Sequence, residues 1–183
     1  VSSCFGEVPK NCVRFYTDTA ATKLIDQVCR NYGIIKLSKI AKSMEIGSDI
    51  YGVERINSNT LEKSHRGRGY RSSSTLITGF PFNSFYHRIW ENDAVPFHCT
   101  RVFTEEEFEG DFSTICRDRR SLYDFRKSVK SLKSRSLFGV QVYQRRYYSV
   151  RGTMRGVSAT LTKMPSAFYK KVESIKLIDY GIP

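Results

Sequence analysis

The chain has no apolar run approaching the roughly 20 residues that a membrane-crossing helix needs. It also has no Cys-x-x-Cys pair, no Gly-x-Ser-x-Gly turn, and only three histidines in 183 residues. The first absence excludes a helical membrane span, and the second removes the usual sequence mark of a structural zinc site. The third removes the strained turn that presents a hydrolase serine. Gly67-Arg68-Gly69 lacks the third glycine and the flanking strand and helix of a dinucleotide loop. Five cysteines are too few for a disulfide scaffold and, being odd in number, leave one thiol over. Acidic residues are also scarce, with 18 Asp and Glu against 30 Lys and Arg.

What is present points to an ordered domain. Hydrophobic residues make up 40% and aromatics 13%, too much for a disordered tail, and 183 residues suit a single domain with its own core. No internal repeat and no low-complexity linker is evident. The net charge of +12 is concentrated: residues 117–155 hold twelve Lys and Arg against Asp118 and Asp124, and the other 144 residues carry only +2. Such a one-sided field attracts anions, so the expected partner is RNA or an acidic protein surface, with no membrane and a monomeric state. The opening Val1-Ser-Ser-Cys4 without an initiator Met reads as a chain freed from a secretory leader.

Along the chain, Val13–Tyr16 reads as a short strand. Thr17 and Asp18 then offer caps to a helix carrying Ala21, Leu24, Ile25 and Val28 on one face and stopping at Gly33. Ile34–Met44 is amphipathic without a decisive period, and residues 57–74 read as a charged loop. From Thr75 the texture becomes short β-rich runs at Thr75–Phe80, Phe85–Trp90, Val95–Phe103, Leu137–Tyr143 and Val157–Thr162. Leu122, Phe125, Val129 and Leu132 stand at helical spacing inside a segment that is acidic first and basic later. The expectation is an α+β fold: one N-terminal helix packed on an antiparallel sheet, with a charged helical insertion.

His87, His98, Cys99 and Cys116 are the metal-ligand candidates, but adjacent His98 and Cys99 point to opposite faces of a strand, so no metal is expected. No cofactor is expected either. Cys4 and Cys12, eight apart around Pro9, are read as a small N-terminal disulfide loop. Cys116 is left to pair with Cys29, the suspected partner, or with Cys99.

The order of these elements resembles the guanyl-specific fungal ribonucleases and the ribonuclease-like secreted effectors of plant-pathogenic fungi, such as those of powdery mildews. Cys12-Val-Arg-Phe-Tyr-Thr17 leading into the predicted helix resembles that family's hairpin and helix, and the Cys4–Cys12 interval its short disulfide loop. Ile77-Thr-Gly-Phe-Pro-Phe82, Cys99-Thr-Arg-Val-Phe103 and Leu137-Phe-Gly-Val-Gln-Val-Tyr143 resemble its core strands. The resemblance covers residues 4–33, 65–103 and 137–146. It makes 104–136 an insertion and 150–183 a C-terminal extension within one domain, 1–183.

The resemblance implies a damaged active site. The carboxylate position reads Gly79, the histidine position Tyr143, and Arg101 alone keeps the phosphate-steadying role. His65 falls near the family's other histidine. Glycine has no proton acceptor, and a phenol of pKa near 10 is a poor proton shuttle, so each loss costs on the order of 10² to 10⁴ in rate. The implied function is a secreted, non-catalytic ribonuclease-like effector that holds RNA or an acidic host protein. Arg68, Arg101, Arg145, Arg146 and His65 would meet phosphate, and Tyr70 and Tyr143 would stack. The alternative is an active ribonuclease with His65 or His87 paired to Glu62 or Glu91. Arg14, Ser72–Thr75 and Glu105–Glu107 are a fainter echo of an ADP-ribosyltransferase.

Overall fold

The computed structural model describes residues 4–29, 33–57, 66–135, 139–149, 154–157 and 160–177. The chain divides into two compact units, Val1–Asp93 and Ala94–Pro183. Among the described residues there is no α-helix. Fourteen short strands and three 3₁₀ turns carry the fold of these described residues.

In the first unit, β1 (Cys12–Tyr16), β2 (Leu24–Cys29), β3 (Gly33–Lys36) and β4 (Ser43–Ile46) are followed by β5 (Gly52–Asn57), β6 (Arg66–Arg71), β7 (Ile77–Thr78) and β8 (Tyr86–Trp90). One antiparallel sheet runs β2-β1-β4-β7, and the other runs β6-β5-β8-β3. Each half of the unit lends its third strand to the other half's sheet, giving two interlocked Greek keys. Val13, Phe15, Met44 and Ile46 from one sheet and Val53, Tyr70 and Ile89 from the other join Leu37, Ala41 and Ile50 in one buried core. This is a two-layer β arrangement in which alternate residues of each strand face inward.

The second unit repeats the plan. β9 (Thr100–Phe103), β10 (Phe112–Ile115) and β11 (Ser131–Ser134) pair as β10-β9-β11. β12 (Val140–Tyr143), β13 (Met154–Val157) and β14 (Ser174–Leu177) pair as β13-β12-β14. Single bridges, Leu161 on Leu132 and Arg119 on Ile175, again carry a segment of each half to the other half's sheet. Leu122, Phe125, Val129 and Leu132 are buried together with Val102, Val142, Phe168 and Ile175.

Two disulfides mark the repeat. Cys12 and Cys29 are direct cross-strand partners on β1 and β2 and are bonded. Cys99–Cys116 closes the corresponding β9–β10 pair, one residue beyond Thr100↔Ile115. Both loops span 17 residues. The expected Cys4–Cys12 loop and Cys29–Cys116 pair are therefore corrected: strand register puts Cys29 opposite Cys12, and Cys4 is the free, exposed thiol.

The α+β expectation is overturned. Residues 17–29 form the turn and second strand of the β1–β2 hairpin because Asp18 caps a turn rather than a helix, its Oδ1 accepting from the N–H groups of Thr22 at 3.0 Å and Lys23 at 3.2 Å. Ala21 at φ 56° then reverses the chain. Residues 104–136, expected as a helical insertion, supply β10, β11 and much of the core. Tyr123 at φ 48° and Lys127 at φ 57° interrupt the 3,4,3 apolar spacing that reads as a helix. Residues 150–183, expected as an extension, supply β13 and β14.

Candidate polyanion-binding face of the second unit

One device recurs at three strand ends. The segment following the first strand of a Greek key folds back over its sheet, and a fully buried serine opposite that strand's last residue holds it there. Ser43, Ser131 and Ser174 stand opposite Tyr16, Phe103 and Tyr143, and each donates its hydroxyl at 2.6 Å to the carbonyl two residues further on, those of Asp18, Glu105 and Arg145. In the second unit the same serines also accept the N–H of Phe108 at 3.1 Å and of Tyr148 at 3.4 Å. The tip residues Glu107 and Tyr147 share the left-handed conformation, at φ 56° and 57°.

These two tips carry opposite charge. Thr104–Gly110 is acidic, and of its four carboxylates those of Glu105 and Glu106 are answered locally: Lys130 Nζ lies 2.5 Å from Glu105, Lys163 Nζ lies 3.1 Å from Glu106, and the Tyr169 hydroxyl donates to Glu106 at 2.9 Å. Those bonds hold the Glu106 carboxyl below its usual range. Gln144–Ser149 is basic. Arg145 and Arg146 are exposed, and Tyr147 between them and Tyr148 is 70% exposed.

The chain before Ser121 supplies the other side of this basic face. Arg119 pairs with Ile175 through backbone bonds of 2.7 and 2.9 Å, and the Tyr147 N–H donates to the Arg120 carbonyl at 2.7 Å. Lys176 on β14 sets its ammonium 5.4 Å from the Tyr148 ring, which lies 5.5 Å from the Tyr143 ring. Arg120, bonded through its carbonyl to Tyr147, Arg145 and Arg146, next to it in sequence, and Lys176, over the Tyr148 ring, thus flank the Tyr147–Tyr148 pair, and among the described residues none of the four pairs with a carboxylate. The neighbouring acid, Asp118, is engaged, accepting the Leu177 N–H at 2.8 Å. Burial, then Asp118, pushes the Tyr143 and Tyr148 phenols up.

The sequence-derived site residues scatter. Arg145 and Arg146 stand on this face. Tyr143 lies beneath it, buried, with its hydroxyl donating to Gln141 Oε1 at 3.0 Å. Arg101 is fully buried on β9; its Nε donates to Thr114 Oγ1 at 3.0 Å, and it lies over the Phe112 ring, so phosphate in solution does not reach it. Arg68 and Tyr70 belong to the first unit's β6, where Tyr70 is buried edge-on to Phe80 at 5.4 Å. His65 and Glu62 lie outside the described residues. His87 is fully buried against Arg55, which removes it as an acid or base for a substrate. Gly79 sits at φ 73° directly after β7. Cys99 and Cys116, weighed as metal ligands, are consumed by their disulfide. Among the described residues no three His, Cys, Asp or Glu side chains gather to hold a metal.

Arg119, Arg120 and Lys176 were not singled out from sequence as site residues. Arg119 and Arg120 lie 25 or more positions from Arg145, and the bridge to β14 and the Tyr147–Arg120 backbone bond bring the two segments together. The first unit holds a polar cavity of about 600 Å³ lined by Glu7, Lys10, Glu45 and Ser72–Thr75. Its Glu45 is already tied to the Tyr16 hydroxyl and, at 3.9 Å, to Arg14.

No family model matches the chain, and no curated protein does. Among solved structures, an archaeal betagamma-crystallin aligns at TM-score 0.39 and 16% identity over 45% of this chain and all of its own. Geodin, a beta-gamma crystallin from Geodia cydonium, aligns at TM-score 0.38 and 12% identity over 92% of this chain and 99% of its own. Protein S, in its calcium-complexed solution structure, aligns at TM-score 0.44 and 12% identity, with the same coverage. The ribonuclease resemblance is corrected: the described residues contain no α-helix to pack on a sheet, and their strands form interlocked Greek keys. The ribonuclease-like effector, in its inactive and its active form, goes with it.

Proposed function

We propose that this chain is a binding module of an oxidising compartment that holds a polyanion on the arginine hairpin of its second unit. The observation that carries this reading is the gathering of Arg120, Arg145, Arg146 and Lys176, without paired carboxylates, around Tyr147 and Tyr148. Arginine supports it further, because its planar fork meets phosphate or sulfate oxygens two at a time and stays charged at any physiological pH. Residues 94–183 carry eight more Lys and Arg than Asp and Glu, which steers an anion toward this unit. Binding is favoured over catalysis, since guanidiniums, an ammonium and phenols offer no proton exchange near neutral pH. The disulfides Cys12–Cys29 and Cys99–Cys116 support the oxidising setting.

Affinity for heparin and for polyphosphate, measured by fluorescence anisotropy from 50 to 300 mM salt, tests the reading. The expected result is a steep fall of log K with log salt. In the Arg120→Ala/Arg145→Ala/Arg146→Ala variant, the slope should drop by about 2 to 3 for a phosphate polymer. An unchanged slope would move the binding surface elsewhere.

A further inference from the structure

The basic face contains one feature that charge alone does not require. Tyr147 is 70% exposed, the largest exposure among the described large hydrophobic side chains, and among the described residues its ring has no aromatic or cationic partner. Its backbone is fixed: φ is 57°, the N–H is bonded to Arg120 at 2.7 Å, and the adjoining Tyr148 N–H is held by Ser174 at 3.4 Å. The left-handed turn belongs to the hairpin scaffold, because Glu107 adopts it at the equivalent tip. What is particular to this tip is the side chain, an open phenol ring on a rigid mount with Arg145 and Arg146 immediately before it and Arg120 at its base.

We infer that the anion is a single-stranded nucleic acid, with a base stacking on Tyr147 and the flanking phosphates held by Arg120, Arg145 and Arg146. This rests on the polyanion reading and sharpens it. A flat aromatic face interleaved with guanidiniums matches the alternation of base and phosphate along one strand, and every base has a face to offer. A duplex keeps its bases in their own stack, out of reach of a protruding ring. A sulfated glycan or an acidic polypeptide is satisfied by the cations and gains little from the ring. The carbonyls of Arg120 and Arg145 are occupied by the Tyr147 N–H and the Ser174 hydroxyl, so the local backbone is set before any ligand arrives.

The test uses the full oxidised chain with four fluorescent or competing probes: a 12-nucleotide single-stranded RNA, the same sequence as a duplex, a heparin dodecasaccharide and polyglutamate. Tyr147→Ala, Tyr147→Phe and Tyr147→Asn are compared with Arg145→Ala/Arg146→Ala, and thermal unfolding confirms that each variant is folded. Asn tolerates the left-handed backbone and so separates ring loss from local misfolding. The expected result is preference for the single strand, on the order of a tenfold loss with Tyr147→Ala and Tyr147→Asn, and retention with Tyr147→Phe. The same ring variants leave heparin affinity unchanged, while the arginine variant weakens both. Equal or tighter binding of heparin or polyglutamate, with Tyr147 indifferent for every probe, overturns the nucleic-acid inference and leaves the polyanion reading standing. Failure of every probe to bind overturns both.

Discussion

Arg55 and His87 occupy the most unusual residue-scale environment in the first unit. Both side chains are fully buried; Arg55 Nη1 donates to His87 Nε2 at 2.9 Å, Nη2 donates to the Phe82 carbonyl at 3.1 Å, and the guanidinium lies 3.9 Å from the Phe80 ring centre. Burial, with the Arg55 charge behind it, pushes His87 down to about 3, and burial brings Arg55 down to about 10. His87 is therefore neutral when folded and regains its ordinary pKa near 6.5 when unfolded. The unfolded chain binds the extra proton below that pH, so stability is full above about 6.5 and declines as pH falls toward 3. Between pH 6.5 and 4.5 the loss reaches about 3 kcal/mol. Urea unfolding at pH 7 and 4.5 checks this, and His87→Gln, which keeps an acceptor for Arg55 but cannot take the proton, should remove most of the difference. An equal loss in that variant would assign the acid sensitivity to other groups. At this scale the sequence showed which residues were chemically able to act but not which were accessible. Arg101 and Arg145 are the same residue type in similar β-rich sequence, but Arg101 sits within β9, where it is buried, and Arg145 lies past the end of β12 on an exposed tip.

At the scale of the element, helical spacing misled wherever a hairpin carried apolar residues three and four apart. Ala21, Leu24, Ile25 and Val28 satisfy a helix face, yet the β-branched content of 17–28 and the cross-strand partnership of Cys12 with Cys29 favour an extended pair. The spacing of Leu122, Phe125, Val129 and Leu132 correctly marks burial and wrongly marks helix, since inward-facing residues of turns and a strand can fall in the same rhythm. The disulfides act on these hairpins. Each closes a 17-residue interval, for which the loss of unfolded-state freedom corresponds to about 3 kcal/mol. Cys12→Ala/Cys29→Ala and Cys99→Ala/Cys116→Ala should each lower stability by roughly that amount in denaturant titrations, whereas Cys4→Ala should change it by less than about 0.5 kcal/mol. A large effect of Cys4→Ala would indicate a role for the exposed thiol that the two hairpin bonds do not provide.

Across the whole molecule, the missed signal was a repeat. Cys12-Val-Arg-Phe-Tyr-Thr17 and Cys99-Thr-Arg-Val-Phe-Thr104 share the pattern Cys-x-Arg-x-aromatic-Thr, and each cysteine is followed 17 positions later by another. The matched positions then fold alike: Arg14 and Arg101 are both buried, facing Gln27 and Thr114 across the hairpin. A six-residue pattern is short, and the intervening sequence has diverged in charge, so an acidic tip at 105–107 and a basic one at 145–146 hide a common geometry. Divergence of charge on a shared scaffold is also what gives the second unit its basic face. Backbone NMR of the oxidised chain titrated with the single-stranded 12-nucleotide RNA at 50 mM salt tests this account most directly. Shifts should concentrate at residues 119–120, 145–149 and 174–176 and leave the acidic hairpin 104–110 unmoved. Shifts centred on the first unit, or none at saturating ligand, would contradict it.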